Sequence, residues 1–145
     1  MRIIAPFANI FGLFAAIAVT CIGARPATAE TKTFIALLNG GQETPPNTST
    51  ESGIAFLTFN GKQLCFAITT TIGSRETAAH IHGPAAPGES AGILFPLDAG
   101  RAKNGCWSSP DNSVKKALKK GRLYLNVHTD EFPNGEIRGQ ILKTK

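Results

Sequence analysis

Gly53-Ile54-Ala55-Phe56-Leu57-Thr58-Phe59-Asn60-Gly61-Lys62-Gln63-Leu64-Cys65-Phe66-Ala67-Ile68-Thr69-Thr70 is the stretch whose reading decides the fold. It holds two runs rich in β-branched and aromatic residues, Gly53 to Phe59 and Gln63 to Thr70, on either side of Asn60-Gly61. In the second run Leu64, Phe66 and Ile68 alternate with Gln63, Cys65, Ala67 and Thr69, so one face is apolar at the period of a β-strand. Asn-Gly accepts the positive φ angles of a type I′ turn, which predicts a tight hairpin here.

The same period extends outward in both directions. Thr33 to Leu38 reads as a strand closed by Asn39-Gly40-Gly41, Thr77 to His82 as another, and Ala91 to Leu97 as a fifth, after the Pro/Gly-rich loop Gly83 to Gly88. Arg122 to His128 and Glu136 to Leu142 are the last two, joined by a loop containing Pro133-Asn134-Gly135. One helix is expected from Pro110 to Lys120, capped by Ser109, opened by Pro110 and ended by Gly121. Val114, Ala117 and Leu118 then face the core, and the lysines face water. Many short strands between regular turn signals argue for an all-β, antiparallel sandwich or barrel with one short helix.

The chain has three histidines. All lie in strand-like motifs, His80-Ile81-His82 and Asn126-Val127-His128. Two residues apart on a strand, His80 and His82 share a face opposite Ala79 and Ile81. Leu123, Leu125 and Val127 form the apolar face of the later strand and leave Tyr124, Asn126 and His128 on the other. On the last strand Glu136, Arg138 and Gln140 oppose Ile137 and Ile141. If these strands are neighbours, one polar face collects all of these groups. Three imidazoles with an open fourth position could hold Zn(II) or copper, with Glu43, Asn126, Glu136 and Arg138 as partners around the ligands. The competing reading is structural: histidines bonded to backbone carbonyls, with Arg138 and Glu136 as a fixed ion pair. Both readings stand at this point.

Residues 1–29 read as an export signal, with Arg2 at its positive end and an uncharged, mostly apolar stretch from Phe7 to Ile22. Ala27-Thr28-Ala29 supplies the small-x-small pattern of a cleavage site. The mature chain is then one domain, residues 30–145. A membrane anchor is the alternative, but Pro6 and Gly12 interrupt a run already short for a span, so no stable insertion is expected after cleavage. The expected location is secreted or periplasmic. Cleavage removes Arg2 and Arg25 and lowers the formal charge from +5 to +3. Lys115, Lys116, Lys119 and Lys120 read as the solvated face of the helix. Without interleaved aromatics they argue against nucleic acid. Cys65 and Cys106 remain, an even pair that predicts a structural disulfide in an oxidising compartment. Asn47-Thr48-Ser49 is a glycosylation sequon, meaningful only in a eukaryotic host. There is no carboxylate pair with catalytic spacing.

Several stretches resemble the CHRD domain, the module named from chordin: Phe34 to Pro46 with Gly40-Gly41-Gln42-Glu43-Thr44-Pro45-Pro46, then Ala79 to Ala85, then Gly121 to Thr129 running on through Phe132 to Ile141. The resemblance implies a Greek-key β-sandwich, superoxide dismutase-like or immunoglobulin-like, and an exported module that binds an extracytoplasmic protein rather than an enzyme. The pattern also resembles Cu/Zn superoxide dismutase in outline. That likeness would make His80, His82 and His128 copper ligands and Arg138 an anion guide in a redox enzyme. With no fourth histidine the ligand set of such an enzyme is incomplete.

Overall fold

The computed structural model describes residues 30–100 and 102–145, so the expected export signal lies outside the described residues. Nine strands follow in order: β1 (Lys32–Asn39), β2 (Ser52–Phe59), β3 (Gln63–Thr70), β4 (Glu76–His82), β5 (Ile93–Leu97), β6 (Ala102–Ser108), β7 (Tyr124–Thr129), β8 (Ile137–Gln140) and β9 (Leu142–Lys143). One helix, α1 (Asn112–Lys119), lies between β6 and β7. The class is all-β and antiparallel with one short helix, as the alternation predicts.

The strands form one continuous sheet in the order β5-β4-β7-β8-β1-β2-β3-β6, with β9 also on β1. Its two four-strand halves join through a single β1–β8 register pair, Asn39 with Arg138. The far ends of the sheet approach each other through side chains. Phe95 of β5 stacks on Trp107 of β6 at 4.9 Å, and Lys103 of β6 pairs with Glu76 of β4 at 2.6 Å. One core fills the space within, drawn from both halves: Phe34, Leu38, Leu57 and Leu64 from one, Ile81, Leu125, Val127 and Ile137 from the other. Leu118 and Val114 of α1 join it. Full burial of a side chain such as Leu118 stabilises by roughly 2 kcal/mol.

Several elements differ from expectation for identifiable reasons. The strand β6 is absent from the sequence reading. Its inward positions are Lys103, Gly105 and Trp107, so a buried cation and a glycine stand where apolar residues would signal a strand. The β2–β3 turn is not type I′. Asn60 keeps a negative φ, and Gly61 takes the positive one at +90° as first central residue of a Gly61-Lys62 turn closed by Asn60 N–H to the Gln63 carbonyl at 3.3 Å. A turn with glycine first and φ positive there alone has the φ signs of type II′. The Asn60 side chain instead accepts from the amides of Lys62 and Gln63, at 2.9 and 2.8 Å. The helix is capped by Asp111, which accepts from the Val114 amide at 2.9 Å, and not by Ser109. The last expected strand is broken into β8 and β9 around the buried Ile141.

Cys65 and Cys106 form the expected disulfide, directly opposite each other on β3 and β6, 41 residues apart in sequence. Loop closure of that length is worth about 4 kcal/mol to the folded state in the chain-entropy model. The double variant Cys65→Ser/Cys106→Ser should therefore unfold at a lower denaturant concentration by an amount corresponding to about 2–4 kcal/mol, read by chemical denaturation.

Candidate metal centre

The candidate site is the outer face of the β4-β7-β8 half. The registers β4–β7 and β7–β8 place His80 opposite Asn126, and Asn126 opposite Arg138. One step along, His82 lies opposite Tyr124 and Tyr124 opposite Gln140. The alternate residues Ala79, Ile81, Leu125, Val127 and Ile137 enter the core, each with about 1% exposure or less. Period-two alternation thus gathers the whole polar set on one face, as the sequence predicts for adjacent strands.

Most of that face is covered. Two loops, Gly40–Asn47 and Gly83–Gly92, lie over it and meet its hydrogen-bonding groups. Asn126 Nδ2 donates to Glu43 Oε1 at 2.6 Å. Arg138 donates to Thr44 Oγ1 at 3.1 Å and to the Ala86 carbonyl at 3.3 Å. Gln140 Nε2 donates to the carbonyls of Ala85 and Gly121, at 2.9 and 2.8 Å. Asn126, Arg138 and Gln140 are thereby matched, which is the condition for keeping them out of water without a large penalty. The Thr44–Pro45 and Gly83–Pro84 peptide bonds in these loops are cis.

Within this layer the three imidazoles converge. One ring nitrogen from each of His80, His82 and His128 lies within 4.8 Å of the others. His80 Nδ1 and His128 Nε2 are 3.2 Å apart. Three nitrogens around one ion at about 2.0 Å sit roughly 3.3–3.5 Å from one another, so a modest closure of the third ring completes the set. The outer ring atoms fix the tautomers. His128 Nδ1 faces the Pro133 carbonyl at 3.0 Å and His82 Nδ1 faces the Ala91 carbonyl at 3.0 Å, so both carry hydrogen there and present bare Nε2. His82 Nε2 is buried and has no hydrogen-bond partner. An imidazole oriented by a carbonyl on one side with a free lone pair on the other is the donor arrangement a metal ion uses.

Electrostatics favour the neutral, ligating form of His80 and His82. Burial lowers the His80 pKa, aided by His128 and His82. Burial also lowers that of His82, and His128 and Arg138 act in the same direction against the opposing Ala91 bond. His82 is buried, while His80 and His128 are half-buried and leave the cluster accessible from one side.

The remaining expected residues divide. Asn126 lies in the same layer, and Glu43 reaches Asn126 but not the imidazoles. Arg138 is buried and stacks on Tyr124, its guanidinium carbon 3.6 Å from the ring centre. The expected Arg138–Glu136 ion pair does not form. Glu136 is turned to the β1–β2 connection, where Oε1 accepts from Ser49 Oγ at 2.8 Å and lies 3.6 Å from Arg75 Nη1. It precedes β8, so strand alternation says nothing about its direction. Tyr124, expected on this polar face, also orients the cluster. Its ring stacks on His82 at 4.9 Å and 7°, and its hydroxyl bridges the Ala91 amide and carbonyl, at 3.1 and 3.2 Å, the carbonyl that orients His82. The sequon residue Asn47 spends its amide on the Gly135 and Glu136 carbonyls, both at 3.0 Å, so a glycan there would cost both bonds.

The family model for the CHRD domain matches residues 34–141. The chain belongs to the CHRD domain family. That match spans both covering loops, all three histidines and every strand of the site. Comparison with curated proteins and with solved structures finds no match. Among the described residues no helix is long and apolar enough to cross a membrane.

Two predictions test this construction. Gly135 takes φ +131°, and a Cβ there would meet Asn126 Nδ2 at 2.4 Å and the Glu43 carboxylate at 2.8 Å. Gly135→Ala should destabilise by more than about 1 kcal/mol, measured by thermal or chemical unfolding. Burial raises the Glu43 pKa from 4.5 to about 7, against the opposing Arg138 charge and the Asn126 bond. The folded protein then binds this proton more tightly than the unfolded chain, so Glu43 makes stability fall as pH rises from 4.5 to about 7. Glu43→Gln should remove that loss, and the difference in melting temperature between variant and parent should grow across this window.

Proposed function

We propose that this CHRD domain is a non-catalytic binding module acting outside the cytoplasm, whose three-histidine centre holds one copper or zinc ion. The observation that carries the reading is the buried, unpartnered Nε2 of His82, in a group where each of three rings brings one nitrogen within 4.8 Å of the others. A buried polar atom without a partner costs roughly 1–3 kcal/mol, and an ion coordinated there would recover it. The donor chemistry fits: neutral imidazole suits zinc and copper, and the group contains no carboxylate that would favour calcium or magnesium. The ion would be held by His82 Nε2, His128 Nε2 and His80 Nδ1, the last giving up the proton it shares with His128. The disulfide and the apparent export signal support an oxidising location.

A dismutase-type copper enzyme receives less support. All three histidines of the chain are used in this one group, leaving none for a fourth copper ligand or a bridge to a second metal. The other reading is a protein-binding module with structural histidines. It is favoured by the 3.2 Å His80–His128 contact, through which two of the rings satisfy each other without a metal.

Titration of the purified, metal-stripped protein with Cu(I), Cu(II) and Zn(II) separates these. The metal reading predicts one ion per chain, a rise in melting temperature with ion concentration, and loss of both in His80→Ala/His82→Ala/His128→Ala. At an ion concentration about 100-fold above Kd the stabilisation is about 2.7 kcal/mol. No binding by the parent, with a destabilised triple variant, would leave the structural reading standing and retire this one.

A further inference from the structure

The other half of the sheet carries a surface of opposite character. On β1, β2 and β3 the inward residues, among them Phe34, Ala36, Ala55, Leu57, Leu64 and Ile68, are buried. The residues between them, with the corresponding ones of β6, point outward. Across the outward positions of all four strands there is no Lys, Arg, Asp or Glu. Protein surfaces are ordinarily about 25–35% charged, so a whole sheet face without charge is not a solvated face by composition. Its centre is apolar. Leu37 is 58% exposed and Phe56 57%, and the half-buried Ile35 and Ile54 pair with them in register, Ile35 with Phe56 and Leu37 with Ile54. Leu142 of β9, 51% exposed, extends the patch from beside Ile35.

We infer that this face is the dimerisation surface of the protein, packed against the same face of a second copy. Three arguments select a second copy over other occupants. The first is area. Strands of eight residues at about 3.3 Å rise, with four neighbours at about 4.8 Å, give a face of roughly 20 by 25 Å. That is about 500 Å² per partner, about 1,000 Å² in total, which meets the lower bound for a specific interface. The second is shape, because two twisted sheet faces of the same hand pack on each other at about 30° with interleaved side chains. The third is charge. The chain is net positive, and an uncharged face lets two copies meet without bringing like charges together. Arranged antiparallel about a two-fold axis, the Lys32 and Lys143 end of one copy lies over the uncharged Asn39 and Ser52 end of the other.

The inference is independent of the metal reading. The histidine centre lies on the outer face of the opposite half, so a dimer formed this way leaves it accessible.

Sedimentation equilibrium of the purified protein over a concentration series tests it. The expected result is a dimer that dissociates on dilution, and a dissociation constant raised at least about tenfold by Phe56→Glu. Position 56 is exposed in the monomer, so the variant should keep the parent's circular dichroism spectrum. Ile93→Glu, an equally exposed apolar site on β5, should leave the dimer intact. A parent that stays monomeric up to about 1 mM would overturn the inference. So would a Phe56→Glu variant that dimerises as the parent does, or a monomeric parent whose apolar face instead binds phosphatidylglycerol vesicles.

Discussion

The register of β7 between β4 and β8 is the constraint on which the site depends. Both faces of β7 are occupied: Leu125 and Val127 are sealed in the core, and Tyr124 and Asn126 lie buried under the covering loops. A slip of one residue would drive Asn126 and His128 into the hydrocarbon interior and push two branched side chains into the polar layer. With every second residue held by the core, the positions of His128, Asn126 and Tyr124 follow, and with them those of His80, His82, Arg138 and Gln140 on the strands alongside. The imidazoles converge because the core beneath them cannot be shifted.

A polar layer buried beneath loops is expensive unless its bonds are complete. Here they are nearly so, since Glu43, Thr44, Ala85, Ala86 and Ala91 supply acceptors from the two loops. The Ala91 peptide serves twice, orienting His82 and anchoring the Tyr124 hydroxyl. Against that background of matched groups the bare Nε2 of His82 stands out, and it is the atom for which a metal ion provides a physical account.

Much of this was legible from period-two alternation alone. It carried the β2–β3 hairpin, the strand class and the shared face of the histidines, because each depends on which residues are apolar at every second position. Where an inward residue is polar or missing a side chain the signal vanishes, as on β6, whose inward Lys103 is paired with Glu76 inside the barrel-like curl. Glu136 escaped for a different reason: one residue outside β8, it follows the loop and not the pleat. The double role of Tyr124 was illegible because it requires knowing that Ala91, thirty-three residues away, lies over its hydroxyl. Turn chemistry was also misread at Asn60-Gly61, where the asparagine side chain competes for the turn amides and shifts the glycine to the first central position.

The central claim is that three imidazoles share one centre, with His82 and His128 each presenting an unprotonated Nε2. Long-range proton–nitrogen NMR of the three rings measures this directly, first in metal-stripped protein and then with one equivalent of Zn(II). The account predicts Nδ1-protonated tautomers for His82 and His128 at neutral pH, and a joint shift of one nitrogen from each of the three rings when the ion is added. His82 and His128 tautomers protonated on Nε2, with no response of the rings to the ion, would contradict it.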